Sequence, residues 1–400
     1  MTPKPLASPA ALLYADHHAT TPILPEAVEA MLPWLSGLAA NPSSVHGPGR
    51  KARRAVEEAR DEVARALGAS SAEIVFTSGG TEANALAVRG GAWAARSADG
   101  RRWAVVFTAG EHPAVREAVA SLGREGFTPR EVPVEATGAP SLAVLEGALS
   151  PDVALVSAIL ANNETGAVDL HVGAVARAAR EKGILFHTDA VQAVGKLPVD
   201  VGALGVDLLS LTGHKFGGPK GAGALYVRKG VAIFALQPGG GQEKGRRGGT
   251  ENVAASVGLG VAIREAARSL DEESRRVRSL RDRFEAGLSA SVPGVRFVAA
   301  GGERLPTVSS AVLPGADGEI LLAALDLEGI AASAGSACHA GTTTPSRVLL
   351  AMGWTPDEAR STLRFSFGRT TSEADIERLL EAVPRLARRV AHGHPRNGDA

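Results

Sequence analysis

Between residues 73 and 228 the chain alternates short apolar runs with segments of helical spacing. The runs are EIVFT (73 to 77), RWAVVFT (102 to 108), VALVSAI (153 to 159), ILFHTDA (184 to 190), VDLLSLT (206 to 212) and AGALYVR (222 to 228). Each is short and rich in β-branched or aromatic side chains, so each is read as a buried strand. PAVREAVASL and VGAVARAAREKG lie between strands and carry apolar residues at helical spacing. Alternation of this kind predicts an α/β domain around a mainly parallel sheet. Ligands of such sheets bind at the carboxyl ends of the strands. The polar loops SGGTEAN, EHP, NNETG, HTDAVQ and TGHK each follow a strand, so candidate chemistry gathers at that edge.

The glycine-rich stretch GGGQEKGRRGGTEN (239 to 252) breaks the alternation and leads into charged amphipathic helices over about 253 to 290. The expected organisation is a large domain over 20–269, with a smaller α+β domain formed by 1–19 and 270–390. Residues 391–400 read as a frayed tail whose histidines are solvated, so no metal site is expected there. The basic turn KGRR (244 to 247) reads as a solvated loop.

Composition narrows the classes further. The 43 basic and 43 acidic side chains leave no charge excess that would draw nucleic acid or an anionic membrane. No apolar stretch is long enough to cross a bilayer, and the first residues lack a secretory pattern, so a cytoplasmic protein is expected. The one cysteine, Cys338, has no partner for an internal disulfide.

The basic side chains comprise eight lysines and 35 arginines. A lysine kept among so many arginines invites a role that needs a removable proton, such as Schiff-base formation. Lys215 directly follows a buried strand and precedes a glycine-rich turn, which a solvated surface lysine would not need. Neutral amine is only about 0.04% of an ordinary lysine at pH 7, so its surroundings must tune it. Asp189 ends another buried strand, where a carboxylate either caps the next helix or meets a cation. Pyridoxal phosphate needs an amine, a carboxylate for its ring nitrogen and donors around its phosphate. SGGTEAN supplies a glycine-rich helix start suited to an anion.

These residues belong to a longer series: YADHHATTP, NPSSVHGPGRKA, EIVFTSGGTEAN, GEHPAV, LANNETG, HTDAVQAVGKLPVDV, GHKFGGPKGAGALYVR, RRGGTEN, SAGSACHAG and LRFSFGR. The series runs in order from residue 14 to 369 and resembles the cysteine desulfurases of the class V aminotransferase group. The resemblance implies an α/β, fold type I pyridoxal-phosphate-dependent transferase, with a mainly parallel seven-stranded sheet in the large domain and a smaller α+β C-terminal domain.

It also implies roles. Lys215 would carry the cofactor and move the substrate's alpha proton. Asp189 would hold the ring-nitrogen proton, Gln192 would bond the ring's phenolic oxygen, and His112 would stack on the ring. Gly80, Thr81, Thr212 and His214 would surround the phosphate, and Thr250 would reach the phosphate of a neighbouring subunit in a homodimer. Asn163, which would also touch the cofactor, and Arg364 would hold the carboxylate of L-cysteine. Taken alone, Asn163 reads as a turn cap and Arg364 as a salt-bridged strand residue.

A lone cysteine is ordinarily a small buried apolar residue, but SAGSACHAGTTTP is poor core material and suits a mobile loop. Cys338 would take the sulfur as a persulfide and pass it to an acceptor, such as an iron-sulfur scaffold or a tRNA thiolation protein, with transient iron-sulfur ligation by the same thiol. At an ordinary pKa only about 3% of it is thiolate at pH 7. His339 stands where many cluster-assembly desulfurases have serine or threonine. ACH, LANNETG and GGGQE also resemble selenocysteine lyases, so L-selenocysteine is an alternative substrate. An ordinary aminotransferase or racemase of the same fold, and an idle cofactor-binding platform, are the remaining alternatives; the first has no use for a loop cysteine, and the second has no reason to keep the intact set of Lys215, Asp189, His112, Cys338 and Arg364.

Overall fold

The computed structural model describes residues 12–37, 39–334 and 344–392. They divide into two units. One holds Thr20–Asn163 and Ala167–Leu270, and the other holds the chain through Ala19, Glu164–Gly166 and the chain from Asp271 onward.

The first unit is built on seven strands: β1 (Ile74–Thr77), β2 (Ala104–Thr108), β3 (Thr128–Val132), β4 (Val153–Ser157), β5 (Leu185–Asp189), β6 (Leu208–Thr212) and β7 (Gly223–Val227). Their order across the sheet is β1-β7-β6-β5-β4-β2-β3. β7 pairs antiparallel with both β1 and β6, whereas the remaining pairings are parallel, so the sheet is mixed and mostly parallel. Six of these strands fall on the six apolar runs, and five of the six are buried at every position. β3 does not. Its TPREV sequence is exposed or half-exposed at four of five positions, and Pro129, which has no N–H for a ladder, is tolerated because β3 is an edge strand.

The helices cover the sheet with the faces that the spacing marks. In Pro113–Arg124 the buried residues are Val115, Ala118, Val119 and Leu122, one stripe at 3.6-residue period. They join Val75, Leu86, Val105, Phe107, Leu155, Leu208 and Leu225 in one core.

The second unit centres on a four-stranded antiparallel sheet that includes β8 (Val308–Val312) and β9 (Thr362–Ser366), flanked by Arg296–Phe297 and Ser333–Ala334. Leu13–Tyr14 pairs in parallel with Ile330–Ala331. The helices Leu270–Ser291 and Glu373–His392 place Phe284, Leu288, Ile376, Leu379 and Val383 against Phe365 and Phe367. The ring of Phe284 lies 4.9 Å from that of Phe365 and 5.5 Å from that of Phe367. Glu164–Gly166 belongs here for a local reason. Gly166 accepts the Leu305 N–H at 2.8 Å with φ of 75°, and a Cβ on it would stand 2.2 Å from Val308 Cγ1. Only glycine fits that left-handed, crowded position.

Among the described residues no helix is long and apolar enough to cross a membrane.

Candidate active site

Asp189 is the last residue of β5 and 2% exposed. Its Oδ2 accepts from Asn84 Nδ2 at 2.6 Å and its Oδ1 from the Val191 N–H at 2.9 Å. Asn84 comes from the helix Gly80–Ala85, which begins directly after β1 and the turn Ser78–Gly79. That helix start lies hard against the segment after β5, since a Cβ on Gly80 would come 2.8 Å from Val191 Cγ2. Asp189 therefore does cap the turn that follows it, while its second oxygen is held by a helix from elsewhere in the sheet. Both donors are neutral. A buried carboxylate with only neutral partners is costly unless a cation joins it.

Lys215 ends the single 3-10 turn Gly213–Lys215 that follows β6, and it is half-buried. Two threonines clasp this turn. The Thr21 N–H and hydroxyl donate to the His214 carbonyl at 2.8 and 3.0 Å, and Thr21 Oγ1 accepts the Gly217 N–H at 2.8 Å. Thr20 Oγ1 lies 3.2 Å from His214 Nδ1. Burial, with help from Lys215, Lys220 and Lys196, pulls the His214 imidazole down to about 4, so it is neutral at pH 7.

His112 begins the helix Pro113–Arg124, and its Nδ1 accepts the Ala114 N–H at 3.1 Å. Burial lowers its pKa; the Asp189 charge opposes that shift and the Lys215 charge adds to it. A neutral imidazole with Nδ1 as acceptor carries its proton on Nε2. His112 thus feels both the carboxylate at the end of β5 and the amine after β6, which brings the three together electrostatically.

Gln192 is 2% exposed, and its Oε1 accepts from Lys196 Nζ at 2.7 Å, which makes the amide nitrogen its donating end. Thr212 donates its hydroxyl to the Ala222 carbonyl at 2.9 Å beside the Gly79–Gly80 turn. Thr81 and Thr250 are exposed, and Asn163 is half-buried. Thr250 lines a cleft with Thr77, Ser78 and Arg247.

KGRR is not a solvated loop. Arg247 Nε donates to Glu82 Oε1 at 2.8 Å and Arg246 donates to the Ala72 carbonyl at 2.8 Å, so the glycine-rich segment is stitched both to the helix after β1 and to the turn before β1. Only Lys244 and Gly245 of the four are exposed.

In the second unit Arg364 lies on β9 and is 2% exposed. One of its terminal nitrogens donates to Asp16 Oδ1 at 2.8 Å. Nearby Glu164 is pushed up to about 7 by burial, against the pull of the Ser346 hydroxyl and the Arg364 charge. Cys338 and His339 lie outside the described residues.

Asn84, Thr20, Thr21 and Asp16 hold candidate residues in place and were not singled out from the sequence. Their only signal there is membership of the stretches SGGTEAN and YADHHATTP.

The groups present fit pyridoxal phosphate. A buried carboxylate bonded only by neutral donors suits a ring cation, a lysine on a clasped turn suits an aldehyde, and glycines and hydroxyls at adjoining strand ends suit a phosphate.

Residues 13–379 match the family described as "Aminotransferase class-V". The chain is 45% identical over 377 residues to the "IscS-like cysteine desulfurase" of Mycobacterium tuberculosis (strain ATCC 25618 / H37Rv), covering 93% of this chain and 95% of that one. A solved "NIFS-LIKE PROTEIN" superposes with a TM-score of 0.87 at 34% identity, over 94% of this chain and 99% of the other. A structure described as "SspA in complex with cysteine" superposes with a TM-score of 0.78 at 34% identity, over 89% and 98%.

Proposed function

The chain belongs to the class V aminotransferase family, and from that premise we propose that it is a pyridoxal-phosphate-dependent cysteine desulfurase whose Cys338 takes sulfur from L-cysteine. The observation that carries this reading is the buried Asp189 carboxylate, bonded by neutral donors and felt by the same imidazole that feels Lys215.

When bound, pyridoxal phosphate supplies an aldehyde for an amine and a cationic ring that draws electrons from the neighbouring carbon. Lys215 would hold the cofactor through its amine and, once free, would remove the substrate's alpha proton. Asp189 keeps the ring nitrogen protonated, with Asn84 and the Val191 N–H fixing its two oxygens. Gln192 donates its amide to the ring's phenolic oxygen, and Lys196 orients that amide. His112 would stack on the ring face as a neutral imidazole. Backbone and hydroxyls at Gly80, Thr81 and Thr212, with His214, surround the phosphate, and Thr250 serves the phosphate of a second copy in a homodimer. Asn163 and Arg364 hold the substrate carboxylate, the arginine as a two-pronged donor. The thiolate of Cys338 attacks the substrate sulfur, the carbon–sulfur bond breaks with its electron pair passing to carbon, and protonation of that carbon leads to L-alanine. The persulfide left on Cys338 serves an acceptor protein of an iron-sulfur or thiolation system in the cytoplasm.

Two variants test the scheme. Cys338→Ala keeps the visible absorbance of the bound cofactor and loses sulfide release from L-cysteine, whereas Lys215→Ala loses the absorbance. Sulfide release at the wild-type rate from Cys338→Ala would refute the role of the thiol.

A further inference from the structure

Glu111 has no part in that scheme, yet it sits between β2 and His112 and is 1% exposed. Its Oε1 lies 2.7 Å from Ser157 Oγ, at the end of β4. The same Oγ lies 2.9 Å from His187 Nδ1, and His187 Nε2 lies 3.0 Å from Ser210 Oγ. Ser157, His187 and Ser210 are fully buried. The line therefore crosses from β4 over β5 to β6. It ends beside the ring anchor, because Asp189 is two residues beyond His187 on the same face of β5 and faces Ser210 in register.

The line can be satisfied in two directions. If Glu111 is ionised, Ser157 donates to it, His187 Nδ1–H donates to Ser157, and Ser210 donates to Nε2. If Glu111 is a carboxylic acid, it donates to Ser157, Ser157 donates to His187 Nδ1, and Nε2–H donates to Ser210. The charges around Glu111 choose between them. Asp189 and Asp169 repel a charge there, and Arg116 attracts one. The other group on the line, His187, is pulled down to about 3 by burial and brings no positive charge at neutral pH. Among the described residues Glu111 Oε2 has no hydrogen-bond partner, which a buried carboxylate oxygen rarely lacks. Burial first, and then Asp189, push Glu111 up to about 8.

We propose that Glu111 works as a carboxylic acid, a positioning residue acting through Ser157 and His187 that leaves Asp189 to carry the negative charge beside the cofactor's ring nitrogen. The proposal rests on the reading of Asp189 as the ring anchor. An ionised Glu111 would divide the ring cation's attraction between two carboxylates and reverse the tautomer of His187.

The test compares Glu111→Gln, which keeps the acid's shape and a donor, with Glu111→Ala, which leaves Ser157 without that partner. In the apoprotein, stability from a protonated Glu111 is fully present below its unfolded value near 4.5 and is lost as pH rises through about 8. The melting temperature of Glu111→Gln minus that of wild type therefore climbs between pH 5 and 8 and then levels, and pyridoxal phosphate binds the glutamine variant within about threefold of wild type. Glu111→Ala binds it more weakly. In the wild-type apoprotein at pH 6, 15N spectra of His187, assigned by difference with His187→Gln, place the proton on Nε2. A flat difference in melting temperature, a loss of cofactor affinity of about tenfold or more in Glu111→Gln, or a proton on Nδ1 overturns the proposal. Asp189→Asn separates the two readings: if it binds cofactor as wild type does, the ring anchor is wrong, while the pH dependence of the apoprotein still reports on Glu111.

Discussion

Lys215 and Asp189 stand out in the sequence because each lies at or just past the end of a buried apolar run, although Asp189 also has the capping use that it fills at Val191. The residues that hold them do not. Asn84 meets Asp189 across 105 residues of chain and Ser157 meets Glu111 across 46, and only the folded sheet, with its order β1-β7-β6-β5-β4-β2-β3 and the helix after β1, puts those pairs side by side. Asp16 is the same kind of case, since it reaches Arg364 across 348 residues. Its carboxylate fixes one arm of a guanidinium that the proposed reaction uses as a fork. Asp16→Asn is therefore expected to raise KM for L-cysteine about tenfold and to change kcat much less, because the lost interaction orients a substrate-binding group. Steady-state kinetics with alanine as the measured product checks this, and a fall in kcat at unchanged KM would contradict it.

At the scale of elements, six strands were readable because burial on both faces leaves continuous apolar runs. β3 was not readable, since an edge strand with exposed Thr128 and Pro129 carries neither an apolar run nor clean alternation. The segment 239 to 252 was readable as a break, but its attachment was hidden in two charges. Glu243 and Lys244 have φ of 48° and 57°, a left-handed conformation unusual for such residues. Glu243 is held there by Arg60, whose terminal nitrogens donate to its two oxygens at 2.6 and 2.9 Å, and by the Phe76 N–H at 3.0 Å. The Arg60 guanidinium also lies 4.7 Å from the centre of the Phe76 ring. Glu243→Ala removes one half of a buried ion pair and is expected to destabilise the protein by about 3–5 kcal/mol. Urea unfolding of the purified apoprotein measures it. A loss below about 1 kcal/mol, the worth of an exposed pair, would show that the pair does not anchor the segment.

At the scale of the whole molecule, the alternating pattern disclosed an α/β sheet, and the ordered series of motifs disclosed the family. The proposed reaction turns on chemistry that a strand-end constellation can prepare but not complete: Lys215 would hold the cofactor, and the Cys338 thiol would take the sulfur. The most direct measurement is mass spectrometry of the cofactor-loaded protein after L-cysteine is added without reductant, with alanine quantified in the same sample. The peptide bearing Cys338 is expected to become one sulfur atom heavier in step with alanine formed. Alanine accumulating while that peptide stays unmodified would contradict it.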